Sequence, residues 1–187
     1  GFPYRFYEVS PPSFSQEEQV VYDSLVRLIS GRWSFDELIA KQSYFFTRKF
    51  AEEFREKIIT PVTYKDLLER IPSKDDLDIM TQALSKILVE FVPMARDPNG
   101  LASQIINDSV GYGKLSPLME DNGLEEIMVN GFDQNVFVYH NEFGPCKTNM
   151  DFSKRKDLEV FLQKISKTVG KEFDEAHPLL DARLPDG

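Results

Sequence analysis

Two short stretches of this 187-residue chain contain residue types that can handle nucleotides. Asp174-Glu175-Ala176-His177 spells the DExH pattern, in which the aspartate reaches a magnesium ion beside bound phosphates. Gly113-Lys114 resembles the end of a P-loop, whose backbone and lysine hold phosphates. Either pattern would indicate a nucleoside triphosphatase, provided that the surrounding elements place it correctly.

The elements around the DExH letters do not suit a helicase. Such a segment ends a buried strand, so apolar residues should precede its aspartate. Here the preceding run is Gly-Lys-Glu-Phe, and Pro178 biases His177 towards an extended backbone. We therefore predict no helicase site.

The P-loop pattern fails at two positions. Leu115 occupies the place where magnesium binding requires a hydroxyl group, and the GxxxxGK spacing puts its first glycine on Asp108. We predict instead a helix that ends near Gly111 and a turn at Gly113. Because the chain contains neither a Walker A nor a Walker B motif, we expect this fragment to have no enzymatic activity and no catalytic residue.

The histidines and the cysteine offer little further chemistry. A single cysteine, Cys146, cannot form an internal disulfide, and with two histidines it cannot build a zinc site without carboxylates. A hydrolase that uses His177 with Asp174 or Asp181 has no supporting nucleophile motif. We predict no metal site, and structural or solvated roles for His140 and His177.

The charge balance argues against nucleic acid as a partner. The chain has 22 Lys and Arg against 31 Asp and Glu, a net charge of −9, and the two signs are interspersed. No apolar run approaches the ~18 residues of a membrane span. We expect a cytoplasmic protein that reaches the membrane only peripherally and through partners, with no direct insertion.

The first half predicts an extended arm over residues 1–13 and a helical bundle over 14–92. A serine followed three residues later by glutamate predicts two helix starts, Ser15 for a helix stopped by Gly31 and Ser34 for a long helix ending before Pro61. Ser73, directly after Pro72, predicts the start of a third long helix. A short helix is predicted over 64–71. The aromatic stripe of the second long helix favours bundle core over a docking surface; it comprises Phe46, Phe50 and Phe54.

Two prolines and a glycine predict a linker over residues 93–100, after which strands and helices are interleaved over 101–187. The expected fold class is α+β, with an N-terminal helical bundle followed by a small α/β sandwich-like subdomain. In the second part we predict that Asn130 and Gly131 shape a turn between strands, because both tolerate positive φ.

Two runs in the second part carry a family resemblance. They are "GYGKLSPLMEDNGLEEIMVNG" (111–131), followed by the strand-like "VFVYH", and "GKEFDEAHPLLDARLPDG" (170–187). Together they resemble the N-terminal domain of the type II and type IV secretion ATPase superfamily, with most similarity to the archaeal pilus and archaellum motor branch. The resemblance covers about 101–187, and the helical bundle is assigned only through its attachment.

The resemblance implies a longer parent in which a RecA-like ATPase domain follows Gly187. It implies a homo-hexamer that contacts a polytopic membrane platform protein and cytoplasmic accessory proteins, with ATP and Mg bound only in the full-length parent. Arginines of the N-terminal side would approach the phosphates, a role that suits bidentate guanidinium contacts. Arg183 is the candidate for cofactor binding, with Lys171 a weaker one; the alternative for Arg183 is a surface pair with Asp181 or Asp186.

Two acidic pairs in the second part of the chain each have two possible roles. Asp174 and Glu175 are either polar contacts at a domain boundary or parts of a solvated turn. The acidic pair Glu125-Glu126 is either simply exposed or an intersubunit contact with a basic face. For the chain as a whole, the alternative to a motor component is a stand-alone adaptor or sensor module that binds a protein partner.

Overall fold

The computed structural model describes residues 4–59, 69–174 and 176–184, and the chain divides into two compact units. We call Pro12–Gly113 the helical unit. Residues 4–11 together with Lys114–Arg183 form the sheet unit. Helices and a four-stranded mixed sheet are both present, which confirms the α+β class.

The described helices of the helical unit are joined by short connections. They are α1 (Gln16–Ile29), α2 (Phe35–Lys41), α3 (Arg48–Phe54) with a π-helical continuation (Arg55–Ile59), α4 (Lys74–Phe91) and α5 (Pro98–Ser109). The short helix predicted over 64–71 falls mostly on residues outside the described ranges.

The capping signals in the sequence predicted three helix starts correctly. The Ser15 side chain accepts from the Glu18 backbone N–H while the Glu18 carboxylate accepts from the Ser15 N–H, which completes a capping box. Ser34 forms a capping box with Glu37 at the start of α2, and the Ser73 hydroxyl caps α4 by accepting from the Asp76 N–H at 3.2 Å. Gly31, with φ 71°, ends the first helical segment as expected.

The long second helix predicted from Ser34 to Pro61 is wrong, because it is two helices. The chain leaves α2 at Gln42 and re-enters a helix after Thr47, whose hydroxyl accepts from the Phe50 N–H at 3.2 Å. The apolar spacing continues across the break because Leu38 of α2, Phe46 in the connection and Phe50 of α3 are all buried in the same core.

The core of the helical unit is aromatic and aliphatic. Phe46, Phe50 and Phe54 are fully buried, and successive rings lie 4.7 and 5.5 Å apart. The prediction that this stripe is bundle core is confirmed. Because the three rings are buried, they are not available as a docking surface.

The structure divides the chain later than the predicted linker. Residues 98–109 form α5, which packs on α1 and α4, and its Leu101, Ile105 and Ile106 belong to the helical core. Asp97 caps α5 by accepting from the Gly100 N–H at 2.9 Å. The boundary therefore lies at Gly113/Lys114 and not at 93–100, because the bundle needs the apolar face of α5.

The sheet unit contains four strands in the order β1-β4-β3-β2. Its elements are β1 (Arg5–Tyr7), a 3₁₀ turn (Gly113–Leu115), α6 (Ser116–Met119), β2 (Leu124–Met128), β3 (Asn135–His140), β4 (Gly144–Asp151) and α7 (Arg155–Val169). β2, β3 and β4 are antiparallel neighbours, and β1 pairs with β4 in parallel. None of the described helices combines the length and apolarity that crossing a bilayer requires.

The predicted N-terminal arm is a strand of this sheet. Arg5 lies opposite Cys146 and Tyr7 opposite Thr148, and Val9 exchanges two hydrogen bonds with the Asn149 side chain at 2.9 and 2.8 Å. The segment is extended, as predicted, but its partner strand lies far along the chain, so no local signal could show the pairing.

Candidate functional site

The predicted site lies in the last described stretch, Lys171–Leu184, which we call the terminal segment. Gly170, in the left-handed conformation with φ 69°, ends α7 and turns the chain into it. The described residues of the segment adopt neither helix nor strand, and most of their side chains are exposed. The geometry of the segment is therefore held by individual hydrogen bonds.

Lys171 anchors the terminal segment at both ends. Its backbone N–H donates to the Ser166 carbonyl at 2.9 Å, and its ammonium group donates to the Asp181 carbonyl. Lys171, the weaker candidate for phosphate contact, is therefore engaged in a hydrogen bond within the segment. An ammonium group engaged in this way closes the loop between 171 and 181.

Asp174 organises a tight turn inside that loop. Its Oδ1 accepts from the Ala176 and His177 N–H groups at 2.9 and 2.8 Å and lies 3.0 Å from His177 Nδ1. The hydrogen bonds from His177 and then from Ala176 hold the pKa of the Asp174 carboxyl below its usual range. The Asp174 carboxylate is exposed and accepts its hydrogen bonds within a solvated turn. Glu175 lies outside the described residues.

Arg183 is exposed near the end of the terminal segment. Within the described residues its guanidinium makes no salt bridge, so the predicted alternative pair with Asp181 is not formed; Asp186 lies outside them. An exposed guanidinium can make bidentate contacts with a phosphate or carboxylate supplied from elsewhere.

Lys114, the lysine of the P-loop-like pair, is occupied locally. Its ammonium group donates to the Asp151 carbonyl and lies 4.5 Å from the centre of the Phe152 ring. Gly113, with φ 57°, begins the 3₁₀ turn. This is the glycine turn that the sequence predicted, and it does not form a phosphate cradle.

The acidic pair and the predicted turn lie around β2. Glu125 and Glu126 are both exposed strand residues. Gly131 has φ 150° in the connection from β2 to β3, as expected. The other positive φ in that connection belongs to Asp133 (56°), so Asn130 lies between the strands, as predicted, without adopting the positive φ that it would tolerate.

Sequence reasoning missed a polar cluster at one end of the sheet. The Tyr7 hydroxyl donates to Asp121 Oδ2 at 2.5 Å, and Asp121 Oδ1 accepts from the Gly123 N–H at 2.8 Å. Burial and this hydrogen bond raise the pKa of Tyr7 to about 12, and the same bond lowers the pKa of Asp121. The short Asp-x-Gly spacing signals the turn, but nothing in the sequence connects it to Tyr7.

His140 lies beside that cluster and packs against the Phe143 ring. Its Nδ1 accepts from the Glu142 N–H at 3.1 Å, and its ring lies 4.5 Å from that of Phe143, which Arg5 covers at 5.1 Å. A Cβ on Gly123 would lie 2.6 Å from His140 Nε2, so only glycine allows this approach. The described residues bring no group of three potential metal ligands together.

Comparisons with known proteins place the chain near archaeal sequences. It is 36% identical over 83 residues to the uncharacterized protein MJ1288 of Methanocaldococcus jannaschii, which is 44% of this chain and 33% of that protein. The uncharacterized proteins MJ0781 and MJ0900 of the same organism match at 39% over 75 residues and 35% over 80 residues. Those matches cover 40% and 43% of this chain.

The chain spans only part of each of these relatives, 33% of MJ1288, 10% of MJ0781 and 14% of MJ0900. No protein-family model matches the chain. The similarity is therefore to one segment of several longer archaeal proteins.

Proposed function

We propose that this chain is the N-terminal regulatory and docking region of a hexameric motor ATPase that assembles a pilus or archaellum or drives secretion. The observation that carries the proposal is the terminal segment, a hydrogen-bonded loop that presents the exposed Arg183 within the run Asp-Ala-Arg-Leu-Pro-Asp-Gly. The proposal also requires a longer parent, and the proteins that this chain matches in part are themselves longer.

In this proposal ATP and magnesium bind only in the longer parent, between this region and a RecA-like ATPase domain that follows it. Arg183 would contact the phosphates, while Lys171 and Asp174 hold the segment in shape. ATP would draw the two regions together and hydrolysis would release them. The region would then move against a membrane platform protein, which makes the proposed localisation cytoplasmic and peripheral.

The test compares the chain as it stands with the same chain extended through the ATPase domain, both assayed for ATP binding and turnover. We expect binding and turnover only in the extended chain, and a loss of nucleotide affinity of about tenfold or more in its Arg183→Ala variant, because charge-assisted bonds contribute about 1.5 to 3 kcal/mol. Arg183→Lys should restore part of that affinity.

Arg48→Ala is the matched control, since Arg48 is an exposed arginine at the start of α3 in the helical unit. It should leave nucleotide affinity unchanged. ATP hydrolysis by the short chain alone would refute the proposal. Failure of the extended chain to bind nucleotide would favour the stand-alone adaptor instead.

A further inference from the structure

The sheet has one buried face and one face open to solvent. Val138 and Cys146 are register partners and are buried. Their neighbours along the strands point the other way, because side chains alternate between faces. Phe137 lies opposite Lys147 on β4, and Lys147 lies opposite Phe6 on β1, so these three side chains share the second face. We call it the outer face.

The outer face is unusually aromatic. Tyr4, Phe6 and Tyr139 are 60%, 62% and 41% exposed, and the Tyr4 ring packs edge-to-face on Phe137 with centroids 5.2 Å apart. An antiparallel strand with one buried face normally presents polar side chains to water on the other. A group of aromatic rings in that position indicates a contact surface.

Two opposite charges flank the aromatic residues of β3. Glu126 on β2 is the register partner of Tyr139, and Lys147 on β4 is the register partner of Phe137. Both charged residues are exposed, and within the described part of the chain neither has a salt-bridge partner. The outer face thus carries a positive and a negative charge on opposite sides of its aromatic centre.

We propose that the outer face binds the outer face of a second copy of this chain. A two-fold axis lying in the plane of the face, between Phe137 and Tyr139, exchanges the positions of Glu126 and Lys147. Each lysine then meets the glutamate of the other copy, and the aromatic residues pack around the axis. The self-complementary charge pattern favours a second copy over an unrelated partner, and the inference does not depend on the proposed function.

The expected association is weak. A face of four strands, spaced about 4.8 Å apart and about six residues long, covers roughly 400 Å² in projection. Stable interfaces bury about 800 Å² per partner. We therefore expect a dissociation constant between about 1 and 100 µM, so the dimer forms at high local concentration.

Sedimentation velocity of the chain across that concentration range tests the proposal. Wild type should shift from monomer to dimer, and Lys147→Glu or Glu126→Lys alone should weaken the dimer at least about tenfold, because the symmetry counts each repulsion twice. The double variant carrying both changes should restore wild-type association. Tyr139→Ser should abolish association, since it removes an aromatic ring beside the axis.

The matched control is Lys156→Glu, an exposed charge reversal on α7, which should not alter association. Circular dichroism confirms that each variant is folded, and Lys147→Ala provides a milder change if the reversal unfolds the chain. A wild-type chain that stays monomeric throughout overturns the proposal. So does a folded double variant that fails to dimerise, or a longer chain in which hydrogen exchange shows the outer face covered by another segment.

Discussion

The helical unit and the sheet unit differ in where they keep their apolar and charged side chains. The helical unit buries a continuous cluster that extends from Val21 to Val110, and Glu18, the one buried carboxylate among its described residues, accepts hydrogen bonds at both oxygens. The sheet unit exposes aromatic residues on its outer face and ends in a terminal segment of exposed polar residues. The first arrangement stabilises a fold, whereas the second leaves surfaces that can bind.

The largest effect should come from the helical core. Phe50→Ala removes a fully buried ring that contacts Phe46, Phe54 and Phe91, and we expect the free energy of unfolding to fall by about 3 to 5 kcal/mol. Denaturant unfolding measures it. Tyr44→Ala, at an 81% exposed aromatic residue of the same unit, should cost less than about 0.5 kcal/mol. Equal losses of stability in Phe50→Ala and Tyr44→Ala would contradict the distinction between buried and exposed aromatic residues.

Glu18 should give the next largest effect and a distinct pH dependence. Backbone N–H groups of Ser15 and Arg96, both at 2.8 Å, lower its pKa from 4.5 to about 2. A lowered folded-state pKa means that the stabilisation is present above about pH 4.5 and is lost as the pH falls towards 2. Glu18→Gln should cost about 1 to 3 kcal/mol at neutral pH and flatten the unfolding profile across that window. An unchanged profile would show that Glu18 titrates normally.

Two tyrosines allow the units to be compared by the same change. The Tyr22 hydroxyl donates to Asp108 in the helical unit and the Tyr7 hydroxyl to Asp121 in the sheet unit, each at 2.5 Å. We expect Tyr22→Phe and Tyr7→Phe to cost about 1 to 2 kcal/mol each, because each removes one hydrogen-bond donor from a carboxylate that keeps its other donor, Gln104 for Asp108 and the Gly123 N–H for Asp121. Hydrogen exchange resolved by residue should place each loss in its own unit. Loss of protection spread evenly over both units would contradict this separation.

The smallest effect should come from the terminal segment. His177→Ala removes an exposed contact with Asp174, so we expect no measurable change in stability. Thermal unfolding of the variant beside the wild type checks this point. A clear loss of stability would mean that this turn supports the fold.

Local signals predicted local structure well. Ser15 with Glu18 and Ser73 with Asp76 lie three residues apart, so the sequence itself contains both partners of each cap. The break between α2 and α3 was missed because apolar residues keep their spacing across it. The boundary was misplaced because the prolines of 93–100 suggested a linker, while the packing of α5 depends on its apolar face.

Contacts between distant residues could not be predicted. The pairing of β1 with β4 and the bond from Tyr7 to Asp121 join positions that are more than 100 residues apart, and no periodicity encodes them. In the terminal segment, the sequence suggested Arg183 and Lys171 together. Only the structure distinguishes their roles, because the Lys171 ammonium group donates to the Asp181 carbonyl while the Arg183 side chain is exposed.

The parallel pairing of β1 with β4 has a consequence for how the chain acquires its fold. The whole helical unit is inserted between two strands that must become neighbours, so the sheet closes only after the intervening residues have been synthesised and compacted. Each helix forms through hydrogen bonds between residues close in sequence, so the helices should form first. Pairing β1 with β4 must instead close a loop of more than 100 residues, which costs conformational entropy. Refolding should therefore show a fast helical phase followed by a slower phase in which β1 docks last.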